Sequence, residues 1–145
     1  MGALFDKETQ EHELESTLDS VDTADRLALE LAQKAGFGED DQNSISMAVR
    51  ECMVNAVAHG NKYNLRKKVL FRIEAEAGKL VVEIGDEGEG FHQEDVPDPL
   101  AAENLLKQSG RGLLLMRAFM DECEHQPRVP HGTLVRMVKR LGTEA

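Results

Sequence analysis

The stretch SISMAVRECMVNAVAHGNKYN, residues 44–64, combines a strongly apolar helix with a narrow line of polar groups. Glu51, Asn55 and His59 are spaced four residues apart, which would place them on one face of a helix. An unpartnered buried carboxylate is costly, so the pattern predicts that this polar stripe faces a cavity holding a cation or a hydrogen-bonding network. The structural alternative from these residues alone is that Glu51 pairs with a basic residue and Asn55 holds a neighbouring loop.

The composition is that of a single soluble domain. The chain has 145 residues, of which 41% are hydrophobic and 30% charged, enough to bury one core. The net charge of −10 disfavours binding to a phosphate backbone. The absence of Trp and the single Tyr disfavour an aromatic platform for single-stranded nucleic acid. We therefore expect no direct contact with nucleic acid.

Cysteine usage and hydropathy indicate the cellular compartment. Cys52 and Cys123 lie in apolar surroundings without CxxC spacing, which is typical of buried thiols in a reducing cytosol. The first residues lack the pattern of a signal peptide. The longest continuous apolar run, residues 113–116, is too short to span a bilayer. The sequence therefore predicts a cytoplasmic protein without a membrane segment.

The first half of the chain reads as a strand followed by two helices. We expect a flexible N-terminus at residues 1–10 and one domain over residues 11–141. Alternation at residues 11–18 predicts an edge strand. Ser20 is expected to cap the first helix and Gly38 the second, which carries the opening stretch.

The second half predicts two hairpins and one more helix. Apolar and polar residues alternate at residues 69–73 and again at 80–84, as in an antiparallel hairpin with one buried face. Residues 91–110 form a connection of the length that often serves as a functional lid. A third helix at about residues 111–121 precedes the closing hairpin. The arrangement predicts an α+β fold: a two-layer sandwich of a mostly antiparallel sheet with helices on one face.

A second candidate site lies at the end of the first hairpin, in the motif GDEGEGF. Asp86, Gly88 and Gly90 follow the strand directly. A carboxylate there can accept a hydrogen bond from an exocyclic amine, and glycines let the backbone approach a flat ring closely. The alternative is an ordinary turn, since Asp and Gly are common in turns.

Two further motifs lie nearer the C-terminus. SGRG, residues 109–112, precedes an apolar helix, and the free N–H groups at such a helix start can bind phosphate. HGT, residues 131–133, begins the last predicted strand. Taken singly, these motifs are equally consistent with a plain loop and a hairpin turn.

In this order and spacing, the motifs resemble those of the GHKL ATP-binding superfamily. Glu51 and Asn55 resemble its N box, DEGEG its first glycine box, and GRG its second. The pattern is most similar to that of stand-alone anti-sigma factor serine/threonine kinases of the RsbW and SpoIIAB type. The resemblance extends over about residues 11–141 and implies a Bergerat-type ATP-binding fold.

The resemblance implies roles for the residues around the base. Asp86 would accept a hydrogen bond from the adenine 6-amino group, with Thr133 supporting it directly or through water. Gly88 and Gly90 would let the chain pass the ring.

The resemblance also implies how the phosphates are bound. Asn55 would supply an oxygen ligand to Mg²⁺, and residues 92–109 would be the ATP lid. The phosphates would be held at the glycine-flanked start of the third helix: Gly110, Arg111, Gly112 and Leu113.

The activity implied is that of an ATP-dependent serine/threonine kinase and anti-sigma factor. Glu51 would be the general base that accepts the proton of an incoming serine hydroxyl. The protein would phosphorylate a STAS-type anti-anti-sigma protein, sequester a sigma factor, and form a homodimer. The alternative is a nucleotide-gated binding module without kinase turnover, because little beyond Glu51 indicates turnover.

Other interpretations are less consistent with the sequence. A histidine kinase catalytic domain would need a helical hairpin bearing a phosphoacceptor histidine, and about twenty residues precede the first predicted helix. None of the five histidines has the spacing of a metal-ligand set, which disfavours a metal hydrolase. His59 either belongs to the polar stripe or caps the helix C-terminus.

Overall fold

The computed structural model of the chain describes residues 7–88 and 112–141, with residues 112–115 described by their backbone. The elements of these residues, in chain order, are β1 (Glu8–Glu15), α1 (Asp19–Lys34), α2 (Glu39–Val54), a π-helical turn (Asn55–Gly60), β2 (Lys68–Glu76), β3 (Lys79–Gly85), α3 (Gly112–Phe119), β4 (Glu122–Pro127) and β5 (Thr133–Arg140). The edge strand thus begins three residues earlier than expected, and residues 8–10 belong to β1 instead of a flexible N-terminus.

The described strands form one five-stranded sheet in the order β1-β2-β3-β5-β4, with every neighbouring pair antiparallel. Along β2, Val69, Phe71 and Ile73 are fully buried and alternate with half-buried residues. Phe71 lies opposite Ile84 of β3 in the register, so the two strands bury the same face. The α-helices cover this face, which confirms the predicted α+β fold with helices on one side of the sheet.

The opposite face of the sheet bears charges of alternating sign. The register places one row of oppositely charged neighbours across all five strands: Glu11, Arg72, Glu83, Arg136 and Glu124. A guanidinium nitrogen of Arg72 lies 3.0 Å from a carboxylate oxygen of Glu83. Cross-strand pairs of opposite charge stabilise a sheet, so this solvent face balances its charges within the fold.

The two long helices begin in different ways. Gly38 is the N-cap of α2, as predicted, and three carboxylates follow in the first turn, where the helix dipole favours them. Ser20 does not cap α1, because Leu18 is the N-cap and Ser20 lies inside the helix. The Ser20 hydroxyl instead donates to the carbonyl of Glu15 at 2.7 Å, which connects α1 to the end of β1. Within the described residues, no helix is long and apolar enough to cross a membrane.

The opening stretch does not remain α-helical throughout. At Asn55 the helix passes into the π-helical turn, and the N–H of Asn61 donates to the carbonyl of Ala56, five residues earlier, at 2.8 Å. A π-turn advances by more residues per turn than an α-helix, so a four-residue spacing no longer stays on one face. Glu51 and Asn55 are half-buried, whereas His59 is exposed. The predicted stripe of three polar residues was therefore wrong for His59.

Candidate functional site

Asp86 directly follows β3 and is held by β5. Its N–H donates to the carbonyl of Thr133 at 2.9 Å. Its Oδ1 accepts the N–H of Gly88 at 2.9 Å and the N–H of Thr133 at 3.2 Å. Oδ2 accepts no hydrogen bond from a described residue, although Asp86 is only 8% exposed. One of the two carboxylate oxygens is thus fixed by main-chain donors, and the other has no donor among the described residues.

The surroundings of Asp86 disfavour its charged form. Burial raises the pKa of the carboxyl above its ordinary value. The N–H groups of Gly88 and Thr133, together with the positive charges of Arg128 and Lys67, oppose this rise in pKa. A carboxylate in such dry surroundings gains much from a further hydrogen-bond donor.

Three glycines allow main chain to pack against Asp86. A Cβ on Gly60 would overlap the Asp86 carboxylate, and a Cβ on Gly88 would overlap the carbonyl of Gly60. Gly132 has a φ of +113°, and a Cβ there would overlap the Asp86 carbonyl. The sequence predicted Gly88 for its approach to a ring. Nothing in the linear sequence pointed to the contacts of Gly60 or Gly132, because both depend on how distant segments meet.

The loop between β4 and β5 also contacts this strand end. Nη1 of Arg128 donates to the carbonyl of Asp86 at 2.8 Å, and the Arg128 side chain lies over Gly85. Nδ1 of His131 lies 3.1 Å from the carbonyl oxygen of Gly88. The HGT motif therefore has neighbours that the sequence did not identify, and the main chain of Asp86 is held on both sides.

A buried asparagine links the π-turn to the same region. Asn61 is 1% exposed, and its amide donates to the Ser16 hydroxyl at 2.9 Å and to the Lys68 carbonyl at 3.1 Å. Its Oδ1 accepts the N–H of Glu87 at 2.7 Å. These contacts fix the residue that follows Asp86 to the start of β2 and the end of β1. No local sequence pattern pointed to this role of Asn61.

Glu51 and Asn55 lie on the helical side of the site. Both are half-buried, and neither side chain hydrogen-bonds to a residue that the structure describes. Cys52 between them is buried, and its thiol pKa is raised first by burial, then by Cys123, Asp86 and Glu51. Glu51 and Asp86 are thus both within electrostatic range of one thiol on α2.

The oxygen atoms available near Asn55 suit a cation whose other ligands come from a bound molecule. Among the described residues, no group of three His, Cys, Asp or Glu side chains could hold a metal ion. The Asn55 amide oxygen is a hard ligand of the kind that Mg²⁺ prefers, and Mg²⁺ commonly takes one or two protein oxygens together with phosphate oxygens. The residues present therefore fit a magnesium ion bound together with phosphates.

The structure describes only some of the remaining predicted site residues. Gly112 is the first residue of α3, one residue later than expected, and α3 packs against α2. Leu113 lies in the first turn of α3. Gly90, Gly110, Arg111 and the lid at residues 92–109 lie outside the described residues. The binding roles of all these residues stay predictions.

Comparison with known proteins agrees with this architecture. A family model described as histidine kinase-like ATPase domain matches residues 14–139. The chain is 34% identical over 104 residues to an anti-sigma F factor of Thermoanaerobacter sp. (strain X514), covering 69% of this chain and 71% of that protein. It is 32% identical over 120 residues to a serine-protein kinase RsbW of Bacillus licheniformis, covering 79% and 74%.

A solved structure is similar in fold. It contains the RsbU and RsbW domains of a Mycobacterium tuberculosis protein and matches 95% of this chain with a TM-score of 0.67. The chain spans 34% of that protein's length, and the sequence identity is 20%, so this likeness bears on the fold alone.

Proposed function

Because the chain belongs to the histidine kinase-like ATPase domain family, we propose that it is an ATP-dependent protein serine/threonine kinase and anti-sigma factor. The observation that carries the proposal is the pair of relatives named anti-sigma F factor and serine-protein kinase RsbW, each matched over more than two thirds of its length. In this proposal the protein acts in the cytoplasm as a homodimer. It phosphorylates a STAS-type anti-anti-sigma protein and sequesters a sigma factor when that protein is phosphorylated.

Recognition of the base depends on Asp86. We assign Oδ2 as the acceptor for the adenine 6-amino group, because Oδ1 already accepts two main-chain N–H groups. Guanine has a carbonyl oxygen at the corresponding position, which would face the carboxylate unfavourably. Thr133 supports the carboxylate, and Gly88 and Gly90 give the ring room. This arrangement favours adenine over guanine before any phosphate contact is made.

We propose that the phosphates bind between the start of α3 and the side chains of Glu51 and Asn55 at the end of α2. Unpaired N–H groups at a helix start suit an anion, so we propose that the phosphates bind the main chain of four residues there: Gly110, Arg111, Gly112 and Leu113. Asn55 supplies one oxygen ligand to Mg²⁺. A bound magnesium ion would neutralise charge on the phosphates.

Glu51 is proposed as the general base. The serine oxygen of the partner attacks the γ-phosphorus as the bond to the β–γ bridging oxygen breaks, and ADP leaves. The serine proton passes to the Glu51 carboxylate. The half-exposed position of Glu51 on α2 supports this role, because a substrate hydroxyl must reach the base.

The test is phosphoryl transfer to a defined acceptor. The folded chain is incubated with Mg-ATP and the cognate STAS-domain protein, and phosphoserine is mapped by mass spectrometry. We expect one modified serine and release of ADP. Nucleotide-dependent binding of the STAS protein without phosphoserine would favour the alternative, a nucleotide-gated binding module.

A further inference from the structure

The segment KYNLRKK, residues 62–68, has an unusual charge for this protein. It has four cations and no carboxylate, although the whole chain carries a net charge of −10. Residues 62–66 are exposed, and Lys67 and Lys68 are half-buried. The segment is therefore a run of cations on an acidic molecule, and two carboxylates lie beside its last residue: Glu15 is opposite Lys68 in the register, and Glu87 accepts the Lys68 N–H.

These cations differ from those of the sheet face. Arg72 lies within 4.0 Å of three carboxylates, those of Glu11, Glu74 and Glu83. Within the part of the chain that the structure describes, no ion pair involves a cation of the KYNLRKK segment. No described carboxylate therefore neutralises these cations through an ion pair.

Exposed apolar side chains lie at the same place. Tyr63 is 52% exposed and Leu65 60%. Leu18, 54% exposed, lies two residues after Ser16, whose hydroxyl donates to the Lys67 carbonyl at 2.5 Å. Of the six large apolar side chains exposed in the described residues, three are therefore in or beside the segment that leads into β2. Grouped exposed apolar residues mark interaction sites more often than scattered ones do.

Main-chain hydrogen bonds define the turn at the start of the segment. Lys62 and Tyr63 have φ values of 51° and 60°, a left-handed conformation that costs non-glycine residues about 1–2 kcal/mol. Hydrogen bonds offset this cost: the N–H of Tyr63 donates to the Val57 carbonyl at 2.9 Å, and the N–H of Asn64 to the Asn61 carbonyl at 3.0 Å. A preformed loop loses less conformational entropy on binding.

We propose that the KYNLRKK segment and Leu18 form a docking surface for an acidic protein partner. Tyr63 and Leu65 would enter an apolar pocket on the partner, and the surrounding cations would face its carboxylates. Tyrosine and arginine are enriched among interface residues that dominate affinity, and complementary charge speeds association. A nucleic acid is disfavoured as the occupant because the rest of the chain would repel a polyanion.

The surface adjoins the candidate nucleotide site. The segment follows Gly60 and Asn61, which contact Asp86 and Glu87 respectively. A docked partner and the nucleotide would therefore contact neighbouring parts of one continuous stretch. The inference rests on the proposed function only in taking a protein as the occupant.

Tyr63 provides a local probe, because it is the only tyrosine in the chain. Protein labelled with 3-fluorotyrosine gives one ¹⁹F resonance that reports on this segment. We expect the resonance to shift or broaden on addition of the cognate STAS-domain protein. A peptide of alternating Glu and Leu should also shift or broaden the resonance, and a peptide of alternating Lys and Leu should leave it unchanged.

Charge reversal provides the matched comparison. Lys62→Glu with Arg66→Glu should weaken STAS-protein binding at least about tenfold at low salt, and less at high salt. The control reverses Arg26 and Lys79, two cations outside the segment that also form no ion pair among the described residues. We expect both double variants to bind Mg-ATP as the parent chain does.

Several results would overturn the docking surface. The first two are an unchanged ¹⁹F resonance in the STAS complex and equal STAS-protein binding by the two double variants. The third is that Lys62→Glu with Arg66→Glu disrupts a homodimer but leaves STAS-protein binding unchanged. The fourth is that the parent chain binds duplex DNA and this double variant does not. If the STAS protein does not bind in any nucleotide state, the proposed function fails. The acidic peptide then decides the inference, and an unchanged resonance in its presence overturns it.

Discussion

The two ends of the candidate nucleotide site are built differently. At the base end, Asp86 is 8% exposed and is fixed by main-chain contacts from Gly88 and Thr133. At the helical end, Glu51 and Asn55 are half-buried, and their side chains have no hydrogen-bond partner among the described residues. The carboxylate proposed to recognise the base is thus fixed by the fold, whereas the side chains proposed for chemistry have no such contacts among the described residues.

This difference implies that binding and turnover can be separated by mutation. Changes at the base end should reduce nucleotide affinity. Changes at Glu51 should reduce phosphoryl transfer with little effect on affinity, because a general base acts mainly in the transition state.

The largest effect is expected for Glu51→Gln, which keeps the size of the side chain and removes the base. Phosphoryl transfer to the STAS protein should fall about 10²–10⁴-fold, and ATP affinity should change by less than about twofold. Radiolabel transfer and calorimetry measure the two quantities. Glu39→Gln, in the first turn of the same helix, is the control. Unchanged phosphoryl transfer by Glu51→Gln would contradict the assignment of Glu51 as the general base.

The next effect concerns Asp86→Asn. The amide oxygen can still accept the N–H groups of Gly88 and Thr133, but the amide nitrogen would oppose the adenine amine. ATP affinity should fall at least about 100-fold, because a charge-assisted hydrogen bond is lost and two donors face each other. Asp121→Asn, on the surface, serves as the control in calorimetry. An affinity within a few fold of the parent chain would contradict the role of Asp86.

The raised pKa of Asp86 also predicts how the stability of the parent chain depends on pH. The folded-state pKa of Asp86 is raised, so its ionisation favours the unfolded chain. Its contribution to stability is present below the unfolded pKa and is lost as pH rises through the folded pKa. Without nucleotide, Asp86→Asn should therefore be at least as stable as the parent chain at pH 7. Thermal unfolding measures this, and a markedly lower melting temperature would show that the carboxylate is needed for folding.

A smaller effect is expected for Gly60→Ala. The added Cβ would overlap the Asp86 carboxylate and force the π-turn or the strand end to move. Such overpacking costs about 1–3 kcal/mol, and ATP affinity should fall about tenfold. Gly38→Ala is the matched control, because a Cβ there meets no atom within 4 Å. Equal effects of the two substitutions would mean that the base end tolerates displacement.

The smallest effect concerns the sheet edge beside the base end. His125 of β4 lies opposite Val135, two residues along β5 from Thr133. Burial, followed by the charge of Arg117, lowers the pKa of His125 to about 4. Its neutral form is favoured in the folded state, so this contribution to stability is present above pH 6.5 and is lost as pH falls towards 4. Stability should decrease by about 1 kcal/mol per pH unit in this window.

Urea unfolding between pH 7 and 5 tests this slope. His125→Gln should flatten it. A slope that persists in His125→Gln would assign the titration to another group.

The features predicted from sequence were those with local causes. The β2–β3 hairpin follows from alternation, and the Gly38 cap follows from the residues beside it. The features that were missed depend on contacts between distant segments. Ser20 was expected to cap a helix, but the end of β1 provides its acceptor. The role of Gly60 depends on Asp86, which lies 26 positions further along the chain.

The polar stripe illustrates the same limit. A fixed periodicity assumes one kind of helix, and the π-turn at Asn55 breaks it, so Glu51 and Asn55 share a face while His59 is exposed. Asp86 and Thr133 were both identified from motifs. Their pairing depends on β3 and β5 being neighbours in the sheet, which no local pattern specifies.

The most direct measurement is calorimetric titration of the folded chain with ATP, ADP and GTP in the presence of magnesium. We expect ATP and ADP to bind and GTP to bind at least about 100-fold more weakly, because adenine has an amine at position 6 that can donate to Asp86, whereas guanine has a carbonyl oxygen there. Failure of both adenine nucleotides to bind would contradict the nucleotide site itself, and equal affinity for GTP would contradict the part assigned to Asp86.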